Sequence, residues 1–285
     1  MYSKLSLVSF TGFLPDSEID IITPCPQKRI KHVLFDFDGT ISLLREGWQH
    51  IMQAVCVEEI CGDHAPSIEI ESRVANFIEE TTGEQTIVQM EQLVSMVREA
   101  GLVHESQILD AKGYKARYNA RLIRPVQERL AQLASGSISE EQFMVAGTKE
   151  FLSALGGMDL FLYVFSGTDQ ADVRNEAKAL GVDEYFIEIW GALDSIEAFS
   201  KEKTIQTIIN NHNLSGNALL AIGDGPVEIR NIKAVGGTAI GVASDEINGG
   251  WDEDKRQRLL SAGADILISD FLEAKKLISY LFDSP

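Results

Sequence analysis

Residues 33–40 read VLFDFDGT. Three apolar residues run into two acids that flank a single phenylalanine. Short strands that are apolar throughout belong to parallel sheets covered on both faces. On a strand, residues two apart share a side, so Asp36 and Asp38 face one crevice and Phe37 turns away into packing. Gly39 then lets the chain leave sharply. Two like charges about 4 Å apart cost on the order of 4 kcal/mol at an effective dielectric near 20. A sequence that places them there needs a cation, a shared proton or water beside them.

The second half of the chain supplies the rest of such a sheet. From residue 140 onward helical and strand-like stretches alternate: EEQFMVAGTKEFLSALGG, LFLYVFSGT, QADVRNEAKALGV, YFIEIWGA, KEKTIQTIINNHNL, ALLAIGDG, EIRNIKAVG, TAIGVAS, DKRQRLLSAG, ADILISD and FLEAKKLISYLF. That alternation predicts an α/β fold with helices on both faces of a parallel sheet. Ligands of such sheets bind beyond the carboxyl ends of the strands. There, Ser166-Gly167-Thr168 follows one strand and offers a hydroxyl and backbone N–H groups to an anion. Asp224 and Glu228, in GDGPVE at 223–228, follow another. Lys201 opens a helix between them and brings a positive charge, with Lys203 as a competitor for the role. A carboxylate cluster fit for a hard cation, an anion nest and a lysine suit phosphoryl transfer, where catalysis is mostly positioning and charge neutralisation.

Between about residues 46 and 135 the pattern is helical. Trp48, Ile51, Met52 and Val55 share one face, with Gly62 as the stop. Ile87, Met90, Val94 and Val97 form a second stripe ending at Gly101. Tyr114, Tyr118, Leu122, Val126, Leu130 and Leu133 form a third, in which Pro125 is expected to kink or split the helix. Residues 111–124 hold five basic residues and no acid. Arg117, Arg121 and Arg124 fall within about 60° on a helical wheel. The stripe reads as a solvated helix face, or alternatively as a face that meets the crevice and reads the anionic or hydroxyl-rich part of the substrate. Arg45, at the passage into this block, either touches substrate or anchors the linker. Trp48 reads as core, and Trp251 with the charged DEDKRQR behind it as a surface loop and helix start.

The chain has 285 residues and a formal net charge of −18. That acidity disfavours a nucleic-acid partner, while a small anionic substrate stays possible wherever a metal or local cations reverse the field. No apolar run is long enough to span a bilayer. The opening MYSKLSLVSFTGFLP lacks a small-residue cleavage site and reads as an early strand, with EIDII as another. Cys25, Cys56 and Cys61 show no metal-ligand spacing and read as buried thiols of a reducing compartment, the cytoplasm. The sequence says nothing of oligomeric state.

In the order DFDGT (36–40), Ser166, Lys201 and GDGPVE (223–228), the chain resembles the haloacid dehalogenase superfamily over about residues 30–285. The helical block sits where one subgroup, which includes phosphoglycolate phosphatase and beta-phosphoglucomutase, inserts a helical cap. The resemblance implies a Rossmann-like core over 31–45 and 136–285, an all-helical cap over 46–135 and an N-terminal extension over 1–30. It implies Asp36 as nucleophile and Asp38 as acid and base. It implies magnesium held by Asp36, the main-chain carbonyl of Asp38 and Asp224, and phosphoryl oxygens held by Ser166, Gly167 and Lys201. Glu228 stands where the family often has Asp; one carbon longer, it would support the metal's waters or Lys201. Asp38 argues against dehalogenation, and Thr40 is more typical of the phosphatases than of the mutases. The implied function is a magnesium-dependent phosphatase of a small phosphorylated metabolite. The alternatives are a phosphosugar mutase and a non-catalytic binding module that kept the fold.

Overall fold

The computed structural model describes residues 11–25, 30–193, 201–212 and 216–282, with the side chains of Lys201 and His212 left out. The strand expected in KLSLVSF, residues 4–10, lies outside the described residues. Eight strands form one sheet: β1 (Gly12–Phe13), β2 (Asp20–Ile21), β3 (His32–Phe35), β4 (Phe161–Asp169), β5 (Glu188–Ala192), β6 (Leu219–Gly223), β7 (Thr238–Val242) and β8 (Ile266–Ile268). Their order is β1-β2-β8-β7-β6-β3-β4-β5. The strands from β3 to β8 pair in parallel, and β1 and β2 add an antiparallel edge beyond β8. The beginning of the chain therefore lengthens the core sheet.

Alternation along each strand feeds two apolar layers. Val33, Phe35, Val164 and Ile222 pack on one face. Leu34, Tyr163, Phe165 and Ala221 pack on the other. Helices α5 (Thr148–Gly156), α6 (Gln170–Ala179) and α10 (Ala274–Phe282) cover the first face. Helices α7 (Lys201–His212), α8 (Pro226–Ala234) and α9 (Glu253–Ala262) cover the second.

From β3 the chain builds to one side through β4 and β5, then returns to build the other side from β6. The order reverses between β3 and β6, and a crevice opens at such a point. Phe35 pairs with Ile222 in register, so Asp36 and Gly223 lie side by side where the two strands end.

Between β3 and β4 stand α1 (Trp48–Cys61), α2 (Ile68–Glu80), α3 (Thr86–Ala100) and α4 (Ala111–Ala134). They bury a separate core that includes Met52, Val55, Phe77, Met90, Leu93, Tyr114 and Tyr118. Helix α2 has no counterpart among the stripes read from sequence. Its first turns alternate isoleucine and glutamate, and Ile68 is exposed; only Val74, Phe77 and Ile78 carry a buried stripe. Ser67 starts it by accepting a hydrogen bond from the Ile70 N–H. Helix α4 is not split at Pro125 but runs through it for 24 residues. Burial of Tyr114, Tyr118, Leu122 and Val126 on one face offsets the missing N–H.

Cys25, Cys56 and Cys61 are buried thiols, and burial pushes Cys56 up to about 12. Among the described residues no helix is long and apolar enough to cross a membrane.

Replacing Pro125 by alanine restores one helical hydrogen bond without disturbing the buried stripe. A gain of about 1–3 kcal/mol is expected, read as a rise of several degrees in thermal unfolding midpoint. An unchanged or lower midpoint would show that the helix is adapted to its proline.

Candidate active site

The ends of β3, β4 and β6, the turn after β3 and the α2–α3 loop enclose a cavity of about 60 Å³. Asp36, Asp38 and Asp224 all line it, with Ser166, Gly167 and Thr168 from β4. Asp36 and Asp224 are almost fully buried. The backbone holds the first acid in place, since the Asp36 N–H donates to the Ile222 carbonyl at 2.9 Å.

Gly39 explains the tight departure after DFD. Its φ is +74°, and a Cβ there would overlap the Asp224 carboxylate. Thr40, wholly buried, donates its hydroxyl to Asp224 Oδ1 at 3.4 Å. The DFDGT turn thus bears directly on the acid of the next strand.

Asp38 is held from both sides. Thr168 Oγ1 donates to its Oδ2 at 2.7 Å and Ser166 Oγ at 3.3 Å. Its Oδ1 is buried, accepts no hydrogen bond among the described residues, and faces Arg45 Nε at 3.8 Å. Thr168 was not singled out in the sequence, although it lies two residues past Ser166 and so shares its side of the strand. The Ser166-Gly167-Thr168 triplet does not open a helix as expected. Strand β4 runs on to Asp169, with an irregularity against β5, and α6 begins only at Gln170. Ser166 and Thr168 are strand residues that address Asp38.

Arg45 lines the cavity and is buried. Its Nη2 donates to Glu176 at 2.6 Å and to Asp172 at 3.3 Å, and its Nε donates to Glu176 at 3.1 Å. Burial opposes its charge, but Asp38, Glu176 and Asp172 outweigh that and raise its pKa. Burial pushes Glu176 above the usual carboxylate range against the pull of Arg45. Arg45 therefore ties the passage into the helical block to α6 and presents a fixed positive charge to Asp38.

The sequence reading missed Lys255. It belongs to the stretch taken as a surface helix start, yet its side chain is only 5% exposed. Its Nζ lies 3.2 Å from Asp224 Oδ2 and 2.9 Å from Glu246 Oε1. Burial would lower its pKa, but the two acids raise it. One faint signal existed: Lys255 and Leu259 are one helical turn apart and form the buried side of α9.

The arginine stripe of α4 does not face the crevice. Arg117 pairs with Glu59, Arg121 with Glu58 at 2.5 Å, and Arg124 with Glu128 at 3.6 Å. Their side chains are 55%, 47% and 85% exposed. Tyr118 and Leu122 meet the cavity instead, beside Trp48, which lines it while packing partly on the block's own core. The apolar stripe took the inward face, and Arg117 and Arg121 met the glutamates of α1.

Glu228 is fully buried. A Cβ on Gly225 or on Gly83 of the α2–α3 loop would overlap its carboxylate. The backbone of Glu84 likewise leaves no room for a Cβ on Gly167. The helical block thus rests on the core backbone to backbone. The side chain of Lys201 lies outside the described residues, but α7 does begin at that residue.

Among the described residues, no three His, Cys, Asp or Glu side chains converge as a metal cage by themselves. Magnesium needs less, because it keeps several waters and binds through one or two carboxylates. Asp36 and Asp224 are oxygen donors at adjacent strand ends, open to one cavity, and they fit that demand. The Asp38 carboxylate is engaged by two hydroxyls and leaves only its main-chain carbonyl to such a site.

A family profile described as haloacid dehalogenase-like hydrolase matches residues 30–236. The chain belongs to that family. It is a hydrolase of that family. Among solved structures, it is similar to a predicted phosphoglycolate phosphatase from Haemophilus somnus 129PT, with a TM-score of 0.59 and 17% identity over 87% of this chain and 98% of that one. A haloacid dehalogenase-like family protein from Streptococcus pneumoniae gives 0.56 and 19% over 88% and 99%. A beta-phosphoglucomutase from Clostridium difficile gives 0.58 and 13% over 88% and 97%. At these identities the likeness speaks for the fold. No curated protein matches the sequence closely enough to count as a relative.

Lys255→Met should leave two buried carboxylates without their cation and lower stability by about 3–5 kcal/mol in denaturant unfolding. Adding Glu246→Gln should recover part of that loss, because one stranded charge goes with it. A Lys255→Met protein as stable as the parent would mean that the ion pairs contribute nothing.

Proposed function

We propose that the chain is a magnesium-dependent phosphatase that hydrolyses a small phosphorylated metabolite through an aspartyl-phosphate on Asp36. One observation carries this reading. Two buried carboxylates end neighbouring strands and share a cavity with a third that two hydroxyls hold in place.

Asp36 attacks phosphorus through a carboxylate oxygen while the bond to the leaving oxygen breaks. Asp38 gives its proton to that oxygen. It then takes a proton from the water that attacks phosphorus as the Asp36–phosphorus bond breaks. The net change is phosphomonoester and water to alcohol and phosphate. Arg45, fixed by Glu176 and Asp172, positions Asp38 for both proton transfers. Ser166, the backbone of Gly167 and Lys201 receive the phosphoryl oxygens. Asp36, the Asp38 carbonyl and Asp224 would hold magnesium, which supplies positive charge to the phosphoryl group when bound. Thr40 and Lys255 orient Asp224, and Glu228 supports the site from behind.

The α1–α4 block, residues 46–135, acts as the cap. It rests on the core at Gly167 and Gly225, so admitting a substrate requires it to lift, and closing excludes bulk water. The acidic balance and the three buried thiols suit a cytoplasmic enzyme of metabolites rather than a nucleic-acid binder.

Phosphate release from a panel of phosphorylated sugars, alcohols and small acids tests the reading, with and without magnesium. Asp36→Asn should lower kcat at least about a thousandfold while the fold persists by circular dichroism. Isomerised sugar phosphate without free phosphate would overturn it in favour of phosphosugar transfer.

A further inference from the structure

We infer that the site selects leaving groups without charge: polyol or sugar monophosphates are preferred to phosphorylated carboxylic acids and bisphosphates. The inference rests on the phosphatase reading above and adds the substrate class.

The argument is a matching of charges. Four acids line the cavity: Asp36, Asp38, Glu84 and Asp224. Arg45 is the one cation among the described residues that line it. Its Nε and Nη2 already donate to Glu176 and Asp172, and Asp38 stands 3.8 Å from Nε. Those acids already balance its charge, so a second anion on the substrate would compete with them for it.

The cations just outside the cavity are engaged in the same way. Lys115 pairs with Asp169, where β4 ends. Lys255 pairs with Asp224 and Glu246. Arg117 and Arg121 pair with Glu59 and Glu58 on the outer surface of the block. Lys201 and the metal are committed to the phosphoryl group under the reading above. A carboxylate or second phosphate would thus enter an acid-lined cavity and meet the repulsion of those acids, which is costly.

The remaining wall suits an uncharged, hydroxyl-bearing group. Trp48 and Tyr118 bring aromatic surface, and Thr82 and Thr86 bring hydroxyls. Burial raises the Tyr118 pKa, so its phenol stays neutral. Leu122 closes the apolar side.

The test compares kcat/KM, with the full chain and magnesium, within pairs that differ by a carboxylate. These are 2-hydroxyethyl phosphate against 2-phosphoglycolate, and glycerol 3-phosphate against 3-phosphoglycerate. p-Nitrophenyl phosphate serves as the common reference. The neutral member should win each pair by at least about tenfold. Thr86→Arg, at the first turn of α3 on the cavity wall, should narrow the gap by raising kcat/KM for the acids. Acids that match or exceed their neutral partners overturn the inference and leave the phosphatase reading intact. A Thr86→Arg protein that changes both members alike overturns it too, because wall charge would then not be the discriminator. No phosphate from any substrate, the aryl phosphate included, overturns the phosphatase reading and the inference together.

Discussion

The parallel pairing of β3 with β6 puts two carboxylates side by side, and the rest of the site answers that repulsion. Register sets Phe35 opposite Ile222, so Asp36 lies beside Gly223, and Asp224 follows one residue later. Both acids are buried, where like charges repel more strongly than in water. The protein counters from below with Lys255 and Thr40 on Asp224. It leaves the other side open to the cavity, where an imported cation has two carboxylates to bind. A sheet whose order did not reverse at this point would separate the acids and lose both features.

Much of this was legible in the sequence because it depends on local rules. Apolar strands ending in Asp or Ser, alternating with helices, mark both the sheet and its functional edge. The positions of Asp36, Asp38 and Asp224 follow from strand ends alone, whereas Ser166 lies inside β4, which runs on to Asp169. What could not be read depends on tertiary partners. Lys255 sits among charged neighbours, and only the docking of α9 turns it inward while Glu253 and Asp254 face solvent. The α4 arginines share a helix with Tyr118, and their direction depended on which face the block would bury. Helix α2 hid because isoleucine and glutamate alternate through its first turn. Its helical state comes from the Ser67 cap and from packing of Val74, Phe77 and Ile78.

The contacts between block and core are made where side chains are missing. Gly83 sits against the Glu228 carboxylate, Gly167 against the Glu84 backbone, and Gly225 against the Thr82 backbone. Backbone touches backbone at the last two, while Leu130 and Leu133 of α4 pack on the apolar layer of the core. Ion pairs across the boundary, Lys115 with Asp169 and Arg258 with Glu79, are partly or largely exposed. Exposed pairs are worth at most about 1 kcal/mol each.

Arg45 joins the two themes. It lies ten residues past the end of β3, where the chain leaves the core for the block, and its guanidinium returns to α6. Three carboxylates surround it. One of them, Asp38, belongs to the β3 turn, and the other two belong to the helix that follows β4. A buried arginine in such a nest cannot leave without stranding Glu176, itself almost wholly buried. The passage into the block is therefore pinned at the residue that also faces Asp38. Movement of the block must be taken up beyond Arg45, and Gly47, with φ +86° and open space around its Cα, is the next place where the chain can turn without strain. Under the cap reading proposed above, the acid stays fixed while the helices above it move.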